Sequence, residues 1–293
     1  QAHGSQYQCY SIPTAMPCAS RRLLTLAALA PLVLTYDEDA WDRALKKYVT
    51  AGVLEGIPTN VVNYSAMAGD PDFHNFVKSL EDADVSSLNK NETYALFMNA
   101  YNALAIKMVT DHACRRDISR RCMEPISSIR DIPGTPSVWE KPAGKIGGRE
   151  YSLQEVEDFL RSPGALGEDS RLHACIVCAS ISCPNLRMEA FRARTIDQQM
   201  TAQMTDMLGN PEKGLKLDRS AGVLTLSMIY SWYAKDFEKS AGSVLDFILP
   251  YVPSPSDKAY IAQSKTSLTV DYFTYNWHAN GRPPCNCAAV TRV

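Results

Sequence analysis

The chain has 293 residues, and its 30 basic and 32 acidic side chains give a formal net charge of −2. This near-neutral balance argues against a nucleic-acid-binding protein, which usually shows a basic excess or a basic stripe. Hydrophobic residues make up 45% of the chain and charged residues 21%, which is typical of a globular domain that can bury a core without disulfides or metals.

Residues 1–35 are predicted to form an arm that precedes the folded domain. Within it, residues 20–34 place Arg21 and Arg22 before a mostly apolar run, which resembles an export signal of the twin-arginine type. The run contains Pro31 and is too short to span a bilayer, which needs roughly 20 residues. Three interpretations stay open: an apolar arm packed on the domain or on a partner, a retained export signal, and an anchor at a membrane surface.

The strongest helix signal in the chain lies over residues 91–110. Its apolar residues cover nearly the whole circumference, which is typical of a buried helix, and Asn91 is expected to cap its start. Apolar residues at helical spacing predict two earlier helices, over residues 37–50 and 71–80. Residues 111–150 contain four prolines and are predicted to be mainly loop.

The second half of the chain mixes helices and strands. Ser152 and Glu155 form a capping box that opens a helix reaching about Arg161. An apolar run at 171–178 predicts a strand, and residues 215–226 predict a hairpin. Further helices are predicted over residues 195–208, 227–236 and 243–250, and a last strand over residues 268–273.

These elements do not alternate as they do in a doubly wound parallel sheet, so the sequence predicts an α+β fold. We expect one compact domain over residues 36–280, in which the helix 91–110 packs on a small, mostly antiparallel sheet. That sheet is expected to include residues 171–178 and the 215–226 hairpin. Residues 281–293 are predicted to be a tail.

Nine cysteines are many for a protein of a reducing compartment. We therefore expect an exported, oxidising location, either secreted or an organelle lumen such as the thylakoid's. Cys114 and Cys122 flank the Arg-rich segment CRRDISRRC, and we predict that they form a disulfide that closes a surface loop, the alternative being two free thiols. The other pairings stay open, because connectivity cannot be deduced from sequence.

The densest group of polar residues is HACIVCASISCPNLR, at 173–187. A thiolate beside an imidazole can attack a carbonyl carbon, so Cys178, and less strongly Cys183, is a candidate nucleophile with His173 as its base. In a regular strand Cys178 would point away from His173, so this arrangement needs the strand to end or bulge. The alternatives are buried cysteines that act as small apolar residues, and a zinc site to which Cys175 adds a fourth ligand.

Three further side chains are candidates to complete such a site. Asn99 and Asn102 lie on one face of the predicted buried helix, where their amides must be hydrogen-bonded. They could orient His173, as the asparagine of a Cys-His-Asn triad does, or they could pin a neighbouring loop. Glu157, in the turn after Glu155, is either a site residue or part of a solvated helix face.

Six segments, in order from about residue 37 to residue 277, resemble the family called domain of unknown function 547. They are FMNAYNALAIKMV, SSIRDI, IGGREYSLQEVEDFLR, SRLHACIVCASISCPNLRMEAF, LTLSMIYSWYAKDF and VDYFTYNW. The matching positions are Asn99, Tyr101, Asn102, Gly147, Gly148, Glu157, His173, Cys178, Ser182, Cys183, Pro184, Trp232, Tyr233 and Phe237. The chain departs from the family pattern at Asp158, where a histidine is common, and at Cys175, where a large apolar residue is usual.

The resemblance implies no settled activity, although the expected architecture is also similar to papain-like and transglutaminase-like thiol enzymes. Two functions are therefore considered. The arm, the cysteines and Asp158 favour an accessory or structural subunit of a larger exported or lumenal assembly, which would bind a protein partner through residues 20–34. The alternative is a cysteine-dependent hydrolase or acyltransferase that acts on a peptide or a small thiol such as glutathione, without a metal or organic cofactor. Whether the chain is an enzyme stays open, and neither a nucleic-acid partner nor a membrane span is expected.

Overall fold

The computed structural model describes residues 36–117, 122–134, 137–162 and 169–284, without the side chains of residues 115–117 and 122–124. The predicted arm 1–35, with its apolar segment 20–34, lies outside these residues, as does most of the predicted tail. The predicted disulfide between Cys114 and Cys122 also lies outside them, because the side chain of Cys122 is not described. It therefore stays a prediction.

The described residues form ten α-helices and nine short strands. The helices are α1 (Glu38–Tyr48), α2 (Tyr64–Met67), α3 (Pro71–Ser79), α4 (Lys90–Asp111), α5 (Leu153–Arg161), α6 (Ile196–Leu208), α7 (Met228–Trp232), α8 (Ala234–Ala241), α9 (Val244–Ile248) and α10 (Pro255–Ser264). The strands are β1 (Val49–Leu54), β2 (Ile57–Val62), β3 (Cys114–Asp117), β4 (Cys122–Pro125), β5 (Pro142–Ile146), β6 (Arg149–Ser152), β7 (Leu215–Asp218), β8 (Val223–Leu226) and β9 (Thr269–Tyr272).

The strands form four small sheets among the described residues. The pairs β1–β2, β3–β4 and β5–β6 are antiparallel hairpins, and β7, β8 and β9 form a three-stranded sheet in which β9 runs parallel to β8. The α+β fold class is confirmed, and so is the hairpin predicted at 215–226. The expected central sheet is instead divided into these separate pieces.

Helix α4 lies in the larger of two hydrophobic clusters, and 16 of its 22 residues are buried. The prediction of a buried helix is confirmed, but its cap is Asn89 and not Asn91. The Asn89 side chain accepts hydrogen bonds from the backbone N–H groups of Asn91 and Glu92, and the Glu92 carboxylate accepts one from the N–H of Asn89. Only Asn89 has a glutamate three positions later, so only Asn89 can form this reciprocal pair. No helix in the described part of the chain is both long and apolar enough to cross a membrane.

The predicted strand at 171–178 is wrong. Residues Ser170–Ala174 form a 3₁₀ turn, whose start is capped by the Asp169 side chain, and the chain is irregular beyond it. The backbone groups that a sheet would pair are taken up here by side chains, as described below for Asn102. The apolar run correctly predicts that this segment is buried, but periodicity alone cannot distinguish a buried strand from other buried backbone.

The β5–β6 hairpin was not predicted, although its turn carries a recognisable signal. Gly147 and Gly148 have φ angles of 58° and 78°, which a two-residue hairpin turn of this kind requires. Their N–H groups donate to the carbonyl oxygens of Leu80 and Glu81. A side chain at residue 147 would meet Val85 at 2.8 Å, so glycine is required there both by conformation and by space.

The second hydrophobic cluster forms around the β7–β9 sheet and helices α7–α10. Tyr275, just after β9, packs against this cluster and against the cluster around α4. The junction between the two clusters is where the chain leaves a cavity.

Gly214 tests the packing where the chain turns from α6 into β7. A Cβ at this position would collide with the carbonyl group of Met207, and backbone cannot move aside as a flexible side chain can. We expect Gly214→Ala to lower the free energy of unfolding by about 1–3 kcal/mol or more in urea denaturation. Gly69→Ala, whose Cβ would meet no atom closer than 3.9 Å, is the matched control and should change little. Equal stabilities for the two variants would contradict this packing.

Candidate functional site

A cavity of about 210 Å³ opens at the junction of the two clusters, with aromatic rings as most of its walls. It brings together four predicted site residues: Cys178, Cys183, His173 and Glu157. The cavity is lined by Tyr101, Trp139, Gln154, Glu157, His173, Ile176, Cys178, Cys183, Ile229, Trp232, Tyr233, Tyr275 and Trp277.

Cys178 and Cys183 stand at the two ends of a short loop, and a disulfide joins their sulfurs. Cys178, the candidate nucleophile, is therefore disulfide-bonded in this state of the protein, and its role as a nucleophile stays a prediction for the reduced state. Their Cα atoms are 6.4 Å apart, because Ala179 adopts a φ of 62° and turns the chain back on itself. Cys178 is half-buried, whereas Cys183 is only 2% exposed, so the two sulfurs differ in access to the cavity.

The loop between the two cysteines is held from both sides. The backbone N–H of Ile181 donates to the carbonyl of His278, and the N–H of Ser182 donates to the carbonyl of Asn276. On the other side the buried ammonium of Lys213 donates to the carbonyl of Ile181. Burial lowers the pKa of Lys213 to about 8. The segment after β9 thus forms one wall of the site and also fixes the position of the disulfide.

Three hydrogen-bond donors surround the sulfur of Cys183. The backbone N–H of Cys178 lies 3.1 Å away, the hydroxyl of Tyr275 3.1 Å and the hydroxyl of Ser180 3.2 Å. The Tyr275 and Ser180 hydroxyls are each also 3.4 Å from the sulfur of Cys178, and the single proton of Ser180 is shared with the Tyr275 oxygen, 3.1 Å away. Donors placed in this way stabilise negative charge on sulfur, so Cys183 is the better placed of the pair to carry a thiolate.

His173 is held by Asp236, a residue that the sequence analysis did not select. The Nε2 atom of His173 lies 2.8 Å from a carboxylate oxygen of Asp236, and the ring stacks on Tyr233 at 4.0 Å. Arg161 donates to the same carboxylate through Nε and Nη2. The bond from His173, and then that from Arg161, hold the pKa of Asp236 well below its usual range against the opposing effect of burial.

The ionised carboxylate fixes which nitrogen of His173 carries a proton. Asp236 can only accept, so Nε2 donates to it, and Nδ1 is left as the acceptor of the neutral ring. Among the described residues, none forms a hydrogen bond with Nδ1. An imidazole oriented in this way at a cavity wall can take a proton from a bound molecule.

Asn99 and Asn102 pin backbone and do not orient His173. Asn99 exchanges two hydrogen bonds with the backbone of Phe191, both of 2.9 Å. Asn102 donates to the carbonyl of Cys175 at 3.0 Å and accepts from the N–H of Val177 at 2.8 Å. The orienting role considered for these amides is wrong, because Asp236 performs it, and the loop-pinning alternative is the one observed.

Cys175 is a buried thiol that donates to the carbonyl of Arg171, and burial raises its pKa, so it is poorly suited to act as a thiolate. The zinc alternative needed Cys175 together with His173 and the disulfide-bonded pair. In the described part of the chain, no group of three or more His, Cys, Asp or Glu residues is arranged to hold a metal ion.

Glu157 is 7% exposed, and its Oε1 atom has no hydrogen-bond partner. Burial raises the pKa of Glu157, and this effect outweighs the lowering by the neighbouring Tyr233 hydroxyl, by His173 when it is protonated, and by the charge of Arg161. Glu155 instead forms the predicted capping box with Ser152. The next residue after Glu157, Asp158, is exposed, bonds to Gln154 and does not line the cavity. Asp158 itself therefore contributes no group to the cavity.

Several site residues were missed because they lie far along the chain from His173. Asp236 is 63 residues away, and Tyr275 is 97 residues from Cys178. Both lie in segments that carried the family resemblance, and the aromatic residues that follow the last strand, Tyr275 and Trp277, were the available signal. A single sequence does not show that these residues face the same space as the cysteines.

Residues 85–208 match the model of a family described as "Protein of unknown function, DUF547", which confirms the predicted resemblance to this family over that segment. The match includes Glu157, His173 and both cysteines of the loop, whereas Asp236 and Tyr275 lie beyond it. Neither the curated proteins nor the solved structures contain a match to the chain.

Asn102→Ala tests the pinning of the segment that follows the 3₁₀ turn. The substitution leaves a buried carbonyl on Cys175 and a buried N–H on Val177 without partners. We expect the free energy of unfolding to fall by about 2–4 kcal/mol in urea denaturation. Asn91→Ala, on the exposed first turn of the same helix, should change stability by less than about 0.5 kcal/mol. Equal losses in the two variants would contradict the pinning role.

Glu157→Gln tests the buried carboxyl through pH. Because the folded-state pKa of Glu157 is raised, its contribution to stability is present below its unfolded pKa and is lost as pH rises. Glu157→Gln should therefore gain stability over the wild type as the pH rises above the unfolded-state pKa of a glutamate, about 4.3, followed by urea midpoints. Glu155→Gln is the matched control with the opposite sign, because hydrogen bonds from Ser152 and then Arg149 lower the pKa of Glu155. A difference between Glu157→Gln and wild type that does not change with pH would contradict the buried-acid interpretation.

Proposed function

We propose that the cavity of this DUF547-family domain is a site of thiol–disulfide exchange. The Cys178–Cys183 disulfide would react there with the thiol of a small molecule or of a peptide. The observation that carries the proposal is that the disulfide forms part of the wall of a cavity that His173 also lines, with hydrogen-bond donors gathered on one of its sulfurs.

The two sulfurs have different roles in such a reaction. An incoming thiolate attacks the sulfur that it can reach, and the sulfur that accommodates negative charge leaves. Cys178 is half-buried at the cavity wall, and Cys183 is buried among its donors. The asymmetry favours attack on Cys178 and departure of Cys183 as a thiolate.

The step balances with the groups present. His173 Nδ1 takes the proton of the incoming thiol, the new sulfur–sulfur bond forms at Cys178, and the bond to Cys183 breaks. The electron pair goes to Cys183, which then takes up a proton. A second substrate thiolate then attacks the substrate sulfur of the mixed disulfide, and the Cys178 sulfur leaves with the electron pair and takes up a proton, so that two substrate thiols are oxidised to a disulfide while the cysteine pair is reduced. A substrate disulfide restores the pair by the same exchange in reverse.

This proposal affects the two functions predicted from the sequence in different ways. Acyl transfer or amide hydrolysis needs a free Cys178 and would belong to the reduced protein. The accessory-subunit role stays a prediction, as do the exported location and the partner contact, because it depends on the arm at 20–34, outside the described residues. One argument for the accessory-subunit role, the departure from the family pattern at Asp158, is weaker because Asp158 does not line the cavity.

A trapping experiment identifies the cysteine that is attacked. The reduced wild type, Cys183→Ser and Cys178→Ser are treated with the disulfide of 2-mercaptoethanol, and adducts are located by peptide mass mapping. We expect a stable adduct at residue 178 in Cys183→Ser, formed at least about tenfold faster than any adduct at residue 183 in Cys178→Ser. The wild type should end with its internal disulfide, because Cys183 resolves the adduct. Equal rates at the two positions, or preferential labelling of Cys175, would contradict the proposal.

The leaving-group role of Cys183 has its own test. The oxidised protein is opened with 2-mercaptoethanol under pseudo-first-order conditions, and free thiols are counted after an acid quench. Tyr275→Phe removes one donor from the Cys183 sulfur and should slow opening by about three- to tenfold. Tyr272→Phe, on β9 and outside the cavity, should leave the rate unchanged. Equal rates for the two variants would overturn the role of the donors.

A further inference from the structure

We infer that the cavity binds a primary ammonium group, with the carboxylate of Glu157 as its counter-ion. The Glu157 side chain reaches the cavity from α5. Its exposed fraction is 7%, so it is 93% buried, and its Oε1 atom has no hydrogen-bond partner. A buried acceptor without a partner is costly, so its presence in a cavity wall points to a ligand that supplies the missing donor.

The basic side chains nearest to Glu157 are engaged elsewhere. Arg161 donates through Nε and Nη2 to Asp236, and His173 donates through Nε2 to the same carboxylate. Glu157 therefore has no ion-pair partner of its own among the described residues. The cavity keeps an acidic group whose charge a bound cation would balance.

The aromatic walls favour a cation as well. Trp277 packs 4.6 Å from Tyr275, 5.6 Å from Trp232 and 6.1 Å from Trp139 between ring centroids, and all four rings line the cavity. Ring faces attract positive charge.

The size of the cavity and the orphan atom narrow the ligand further. A volume of about 210 Å³ lies below the roughly 300–1,000 Å³ of pockets for drug-sized ligands, so the ligand is small. Oε1 can accept from any N–H or O–H donor, and a primary ammonium supplies such a donor together with a positive charge, whereas a quaternary ammonium has no donor. Resting on the proposed function, the reacting thiol is then an aminothiol, in which a short chain separates the thiol from the ammonium group.

Equilibrium binding of probes without a thiol tests the ammonium site by itself. Propylammonium, propan-1-ol and tetramethylammonium are titrated into the oxidised protein at neutral pH, followed by tryptophan fluorescence or calorimetry. We expect propylammonium to bind at least about tenfold more tightly than propan-1-ol, the ratio expected when a charge-assisted hydrogen bond is added. Glu157→Gln should reduce this ratio to below about threefold, and Glu155→Gln, on the exposed face of the same helix, should keep it.

The remaining outcomes separate the parts of the inference. Equal binding of propylammonium and propan-1-ol, or an unchanged ratio in Glu157→Gln, would overturn the ammonium site. Tighter binding of tetramethylammonium than of propylammonium would assign the attraction to the rings and overturn the role of Glu157. If propylammonium binds as expected but 2-mercaptoethanol fails to open the disulfide, the ammonium site stands and the aminothiol assignment falls with the proposed function.

Discussion

The site depends on one side-chain amide. Asn102, on the buried helix α4, bonds to the carbonyl of Cys175 and to the N–H of Val177, and so holds an irregular stretch of chain against the core. His173 lies just before that stretch and Cys178 just after it. Without these two bonds the segment would have buried backbone groups to satisfy in some other way, and the imidazole and the sulfur would lose their common frame. Positioning of the reactive groups is in this sense a property of α4.

The cavity is shared between two hydrophobic clusters. The cluster around α4 supplies the acid and the disulfide, and the cluster around β7–β9 supplies α8, which carries Asp236. Tyr275 packs on both and reaches the sulfurs with its hydroxyl. The segment that matches the family model, residues 85–208, therefore holds only part of the site. Its imidazole is oriented by Asp236, and one of the donors near its sulfurs is the hydroxyl of Tyr275, and both of these residues come later in the chain.

The features that could be predicted from the sequence are those determined by residues close together in the chain. The buried helix, the capping box at Ser152 and the 215–226 hairpin depend on local spacing and turn chemistry, and all were found. The conformation of residues 171–178 could not be predicted from local spacing, because it depends on the amide of Asn102, which lies 73 positions from Cys175. The pairing of His173 with a carboxylate 63 positions away was invisible for the same reason.

The clamping of the cysteine loop has a consequence for how long its reaction intermediates last. Backbone bonds from Ile181 and Ser182 to the chain after β9, and the buried Lys213, do not involve the disulfide and would persist when it opens. The separated sulfurs would then stay neighbours instead of drifting apart, and re-forming their bond would be an intramolecular reaction with a high effective concentration. A substrate attached to Cys178 would face this competitor from the moment it binds, so the lifetime of the covalent complex is set by the protein scaffold more than by the thiol that the substrate brings.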